Sequence, residues 1–162
     1  MTASTTAGAK IYIGTTLAID FATDAGAIDD FEGDTFTEIK EVEDLGEFGD
    51  ESSEVEFTAI GDTRKRRYKG TRDAGVIALV CGRDPLDPGQ KKVLDAEKVK
   101  DAYNFKVVVN DAPVGGTPST YYFRALVMSA KNSFGSVDNI VKVNFSLAIN
   151  TAILEVVAAV TP

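Results

Sequence analysis

Residues 140–149 read Ile-Val-Lys-Val-Asn-Phe-Ser-Leu-Ala-Ile, with Val141, Val143, Phe145, Leu147 and Ile149 apolar and Lys142, Asn144, Ser146 and Ala148 small or polar. A period of two puts successive side chains on opposite faces of an extended strand, so this segment must bury one face and leave the other lightly covered. Such a strand cannot stand alone; it needs neighbouring strands and a second apolar layer against its buried face. In 105–109 and 121–128 β-branched and aromatic residues occupy both faces, as in strands covered on two sides. Residues 111–119 between them contain Pro113, Gly115, Gly116 and Pro118. These cannot continue either strand and read as a long hairpin loop.

The rest of the chain supports a mainly β domain. Residues 1–10 are small and Thr/Ala-rich, an N-terminal arm ahead of a short strand at Ile11-Tyr12-Ile13-Gly14. Residues 24–34 read as an acidic loop rich in turn formers. Phe36, Ile39 and Val42 then alternate loosely with Lys40, Glu41 and Glu43, predicting a strand that enters a turn at Gly46. Asp87 as N-cap, Pro88 at the first helical position and Gln90 three residues after the cap predict a helix over 88–102, with Val93, Leu94, Ala96, Val99 and Ala102 as its apolar stripe. Residues 46–75 are long and poor in apolar residues for a core element, which predicts a hairpin projecting from the domain. With 162 residues, 44% of them hydrophobic, the chain suits one domain with a real core, read as 1–162. The predicted class is a β-sandwich or barrel with one flanking α-helix and a long projecting hairpin loop.

Composition excludes several chemistries. The sequence has no His, which removes the commonest general base, Ser-His and Cys-His nucleophile pairs and His-ligated metals. The single Cys81 can form neither an internal disulfide nor a thiolate zinc site, and its place in the apolar run 76–81 reads as a small buried hydrophobe. Asp24, Asp29, Asp30, Glu32 and Asp34 supply oxygen ligands, but their spacing departs from the EF-hand loop, so a solvated acidic surface is expected. No pair among the 25 acidic residues is singled out by spacing for acid–base work. No segment reads as a secretory signal, and none approaches the roughly 20 apolar residues of a membrane helix. The expectation is a soluble non-enzyme with no cofactor, no metal and no membrane partner.

The charges are strongly polarised. Residues 1–62 contain 16 acids and two bases, Lys10 and Lys40, whereas residues 63–162 contain 9 acids and 15 bases. The sharpest local signal is Arg64, Lys65, Arg66, Arg67, Lys69 and Arg72 within 64–72, with Tyr68 interleaved. This run could neutralise phosphates, although the neighbouring Glu47, Asp50, Glu51, Glu54 and Glu56 would repel a polyanion. It could equally form intramolecular ion pairs in a solvated hairpin. The charge layout favours a third reading, in which the basic run meets the acidic block of another copy. Such head-to-tail contacts generate rings or filaments, with register from charge and affinity from strand edges and apolar residues such as Phe48, Phe57 and Ile60.

The order of these features carries a resemblance. Residues 36–49 (Phe36, Ile39, Val42, then the Gly-rich acidic turn at 46–49), the strand 55–63, the basic 64–69 and the step Gly70-Thr-Arg-Asp-Ala-Gly75 together resemble the major tail tube proteins of long-tailed bacteriophages and gene transfer agents. The helix after Asp84-Pro85 and Asp87-Pro88, a Tyr/Phe-rich strand and a final alternating strand fit too, so the likeness spans residues 11–155. It implies a β-sandwich that assembles into six-membered rings stacked as the tube through which DNA leaves the capsid. It implies that the hairpin 46–75 reaches a neighbouring copy, with Glu47, Phe48, Asp50, Glu51, Arg64, Lys65, Arg66, Arg67, Lys69 and Arg72 as contacts between subunits or rings. It also implies an electronegative lumen, to which Asp50, Glu54 and Glu56 are assigned, so that DNA passes without specific binding. A tape measure protein, a tail terminator and baseplate or distal tail proteins are the implied partners, with the virion tail as location and the host cytoplasm as place of assembly. The rival expectations are a monomeric β-sandwich binding or decoration module and a nucleic-acid binder using 64–72.

Overall fold

A computed structural model of the chain describes residues 3–160. Its elements, in chain order, are β1 (Lys10–Ile13), α1 (Asp24–Glu32), β2 (Thr37–Ile39), β3 (Val42–Asp44), β4 (Glu51–Phe57), β5 (Arg66–Asp73), β6 (Val76–Gly82), α2 (Pro88–Glu97), β7 (Tyr103–Val108), β8 (Gly116–Thr117), β9 (Thr120–Ser133), β10 (Lys142–Ile149), β11 (Leu154–Val156) and β12 (Ala159–Val160). The architecture is mainly β, as the alternating segments require.

Seven strands form one antiparallel sheet in the order β2-β1-β7-β9-β10-β6-β3, with β11 pairing to β9 as an eighth strand. The two ends of this path, β2 and β3, are separated in the chain by Lys40 and Glu41 alone. The sheet therefore curls until its two end strands are joined by the chain itself, each hydrogen-bonded on one side only. The corner is sharp: Glu41 has φ 61°, a left-handed conformation that side-chain-bearing residues rarely adopt. Partly buried hydrogen bonds hold it. Gly82 N donates to Glu41 O at 2.7 Å, Lys40 N donates to Asp87 Oδ2 at 3.0 Å, and Gln90 Nε2 donates to both Lys40 O and Gly82 O.

Inside the curl, the odd positions of β10 (Val143, Phe145, Leu147) meet Ile11 and Ile13 of β1, Ile77, Leu79 and Cys81 of β6, Phe105 of β7 and Phe123 of β9, all essentially inaccessible. Phe105 and Phe123 stack at 5.8 Å with rings 10° apart. Each such side chain contributes about 1.5–3 kcal/mol on burial. Helix α2 adds Val93 and Ala96 to the same cluster, and Asp87 caps it as the sequence predicts, accepting from Gln90 N at 3.1 Å. Tyr122 points the opposite way from Phe123 and, with Leu154, receives Ala27 and Phe31 of α1 in a second apolar cluster. Phe31 stacks on Tyr122 at 5.3 Å.

Three expectations need correction. The acidic stretch 24–34 is not a loop: Asp24–Glu32 is a helix, N-capped by Thr23, whose hydroxyl oxygen accepts from Gly26 N at 3.1 Å. The domain thus has two helices rather than one. The second helix ends at Glu97 instead of 102, because Lys98 and Val99 turn back to Asp95 O and Ala96 O and lead the chain into β7. Finally, the loop 111–119 contains the short β8, which pairs with β12. Of the N-terminal arm 1–10, residues 1 and 2 lie outside the described residues, while Ala7 O accepts a hydrogen bond from Asn110 Nδ2.

Candidate assembly surface

Strands β4 and β5 pair with each other and with no other strand, forming a two-stranded ribbon apart from the curled sheet. It continues the β3–β6 pair beyond a bend. Gly46 (φ 73°) and Gly75 (φ 86°) sit where each strand leaves the sheet, in conformations that cost glycine little. Along both strands every residue except the partly buried Ser52 and Gly70 is exposed.

The register gives the ribbon two chemically distinct faces. Glu54 lies opposite Lys69 and Glu56 opposite Arg67, whereas Val55 lies opposite Tyr68 and Phe57 opposite Arg66. Directly opposed residues share a face and successive residues alternate. One face is therefore ionic: Arg67 Nε lies 2.7 Å from Glu54 Oε1 and Lys65 Nζ 3.0 Å from Glu56 Oε2. The other carries Val55, Phe57 and Tyr68, exposed at 50%, 54% and 54%. Ile60 at the tip is fully exposed.

The basic run thus finds its counter-charges within its own hairpin. Arg66 pairs with Asp62 at 3.1 Å and Arg72 with Asp50 at 2.7 Å. Arg64 and Lys69 make no ion pair among the described residues. At the ribbon's root Glu51 lies opposite Asp73, a like-charge pair that weakens the ladder there. Residues 50–73 hold six acids and six bases, so the chain's net −8 falls wholly on the remainder.

Of the other assigned contact residues, Glu47 is exposed, but Phe48 is half-buried against Tyr121 and Phe123, with ring centroids 5.6 and 5.8 Å away. Its apolar surface is largely spent on its own chain. Asp50, Glu54 and Glu56, assigned to a lumen, each face a cation and present the field of an ion pair rather than of a free carboxylate. What the sequence did not reveal is the joint face of Val55 and Tyr68. Strand alternation hinted at it, but pairing two strands across the turn 58–65 requires a register the sequence does not state. A second exposed apolar set, Phe134, Val137 and Ile140, occupies the turn between β9 and β10 and likewise escaped notice.

No alternative chemistry gathers elsewhere among the described residues. No group of three or more metal-ligating side chains converges there. Two of the acids of 24–34 have structural duties: Asp30 Oδ2 accepts from Asp20 N, and Asp34 accepts from Thr15 N and Oγ1 and from Asn104 Nδ2. Burial would raise the Asp34 pKa, but those bonds and one from Thr35 N outweigh it and hold the carboxyl below its ordinary value. Burial, with a smaller push from Asp87, raises the Cys81 thiol to about 12, so it carries no thiolate at neutral pH. No helix among the described residues is long and apolar enough to cross a membrane.

No protein-family model matches the sequence, and no curated protein matches it. Solved structures do share its fold. A chain of the six-fold symmetrised anti-feeding prophage baseplate superposes with a TM-score of 0.70 at 8% identity over 97% of each chain. The SPP1 tail tube gives 0.61 at 18% identity, covering 94% of this chain and 78% of that one. A chain from the virion of a native gene transfer agent particle gives 0.63 at 13% identity, covering 95% and 99%. At such identities the likeness is one of fold, and the fold is that of phage tail tubes.

Proposed function

We propose that this chain is a non-enzymatic structural subunit of a phage-type tail tube. Copies form six-membered rings, the rings stack head to tail, and the tube conducts DNA without binding it specifically. The observation that carries this reading is the tail-tube fold over nearly the whole chain, in a molecule that leaves one ribbon free of its own core. The ribbon within 46–75 supplies contacts between subunits or rings. A tape measure protein, a tail terminator and distal tail or baseplate proteins complete the assembly, which takes place in the host cytoplasm and ends in the virion. Negative-stain electron microscopy of the concentrated protein tests the reading. Rings or tubes about 100 Å wide are expected, roughly two domain diameters plus a pore. A strictly monomeric species that forms no tubes even with a nucleating partner would overturn it.

One observation favours a second reading, a monomeric recognition module: the ribbon's ion pairs already close within the chain. Hydrogen exchange separates the two. A tube subunit exchanges its ribbon amides quickly as a monomer and protects them on assembly; a monomeric module shows no concentration-dependent protection.

A further inference from the structure

The two faces of the ribbon cannot serve a partner equally. On the ionic face Arg67 and Lys65 are already matched to Glu54 and Glu56. A neighbour's charges could only exchange one exposed pair for another, with little net gain. On the opposite face Val55, Phe57 and Tyr68 are held in water by the ladder, and among the described residues no other element covers them. Covering them removes apolar area from solvent with no ion pair broken.

We propose that the face of Val55, Phe57 and Tyr68, rather than the ionic face, is the docking surface, and that its occupant is a second copy of this chain. This rests on the assembly reading above and assigns the contact within it. Charge supports the occupant. Two copies meeting body to body each bring the −8 carried outside the ribbon, whereas the ribbon, with six acids and six bases, approaches another copy without net repulsion. The same neutrality disfavours DNA, since cations already paired with carboxylates release few counterions from phosphates. Size supports it as well. Three half-exposed side chains and Ile60 offer on the order of 400 Å², below the roughly 800 Å² per partner of a stable pair. A contact of that size holds when it is repeated many times, as between copies in a ring or stack. Arg66, on the same face opposite Phe57, sits as a rim charge that fixes register.

The test compares Val55→Asp and Tyr68→Asp with the charge-removing swap Glu54→Gln/Arg67→Gln, which leaves no like charges opposed across the ladder, using the full chain. Sedimentation velocity and electron microscopy read assembly, and thermal unfolding of the dilute monomer reads the fold. Each apolar variant is expected to raise the assembly concentration by about tenfold or more, and the swap to move it by less than about threefold. Unfolding midpoints should stay close to wild type for all three. Loss of assembly in the swap, with assembly kept in Val55→Asp, would overturn the proposal. So would capture of a labelled DNA duplex that Val55→Asp abolishes. If wild type assembles and Val55→Asp assembles equally well, this assignment fails alone; if wild type never assembles, the tube reading fails with it.

Discussion

The curled sheet and the ribbon are both antiparallel β-structure of ordinary strand length, yet they bury side chains in opposite measure. In β10 Val143, Phe145, Leu147 and Ile149 are all buried, whereas in β4 and β5 no residue is. The sheet gains its stability from an enclosed cluster, and the chain itself joins its two end strands, β2 and β3. The ribbon has two free edges and no core, and two strands alone are marginal in water. Hydrogen-bonded ladders are thus common to both, and what separates them is the layer packed beneath. The ribbon's exposed apolar face has no such layer among the described residues.

The largest expected contrast comes from truncating one aromatic in each region. Phe123→Ala, deep in the cluster and stacked on Phe105, should lower unfolding free energy by about 3–5 kcal/mol. Phe57→Ala, half-exposed in the ribbon, should stay within about 0.5 kcal/mol in the monomer. Urea unfolding midpoints at constant m-value measure both. A loss of several kcal/mol at Phe57 would break the comparison by showing that the ribbon belongs to the cooperative core.

The next largest effect tests how the sheet closes. Gln90 is fully buried; its Nε2 donates to Lys40 O and Gly82 O, and its Oε1 accepts from Asp84 N at 3.0 Å. Gln90→Leu keeps similar bulk but orphans those three backbone groups, for an expected cost of about 2–4 kcal/mol. The loss should fall on the corner at Glu41, so amides of β3 and β6 should exchange faster in this variant while those of the ribbon do not change. Uniform acceleration in both regions would mean that corner and ribbon open together.

These particulars also show what was legible in advance. The alternation over 143–149 maps onto burial residue by residue, since a period-two pattern and a one-sided core are the same statement, while Val141 ahead of the strand is only partly buried. Helix α2 announced its start through Asp87 and Pro88 but not its end, because Lys98 is a C-cap with no glycine to mark it. Helix α1 reads as a loop in the sequence because Gly26 and four acids obscure it. Its readable signals were Thr23 as N-cap and the i, i+4 pair Ala27 and Phe31, the two residues it buries. Closure of the sheet was not legible: a single stretch, 37–44, pairs with different strands on either side of a kink at Glu41, a residue type that gives no warning of positive φ. In the ribbon the charges were visible but their partners were not. Blocks that look like separate acidic and basic halves in one dimension lie side by side once the hairpin folds.

A smaller effect separates the regions by pH. Folding lowers the Asp34 pKa, so the folded chain holds fewer protons there than the unfolded chain. The contribution is complete above the ordinary value of 3.8 and fades as pH falls through the lower folded value. Asp34→Asn should therefore destabilise by about 1 kcal/mol at pH 7 and progressively less on acidification. Thermal midpoints from pH 7 to pH 2 measure it. An Asn variant whose deficit persists unchanged at low pH would show that the site works by shape instead of charge.

The smallest expected effect lies in the ribbon itself, and there a small number is informative. Arg67 and Glu54 are 2.7 Å apart yet both more than half exposed as side chains, so water and salt screen their attraction and two long side chains lose freedom in meeting. A double-mutant cycle of Arg67→Ala and Glu54→Ala in the monomer should give a coupling of about 0.5 kcal/mol or less, shrinking further in roughly 1 M salt. A coupling well above 1 kcal/mol that resists salt would mean that the pair is sheltered and that the ribbon is stiff before it meets anything. A weak, salt-sensitive one leaves the ribbon loosely held at Gly46 and Gly75, able to adjust its direction until its apolar face is covered. The pairs then serve chiefly to cancel charge along an arm that must approach a surface carrying −8.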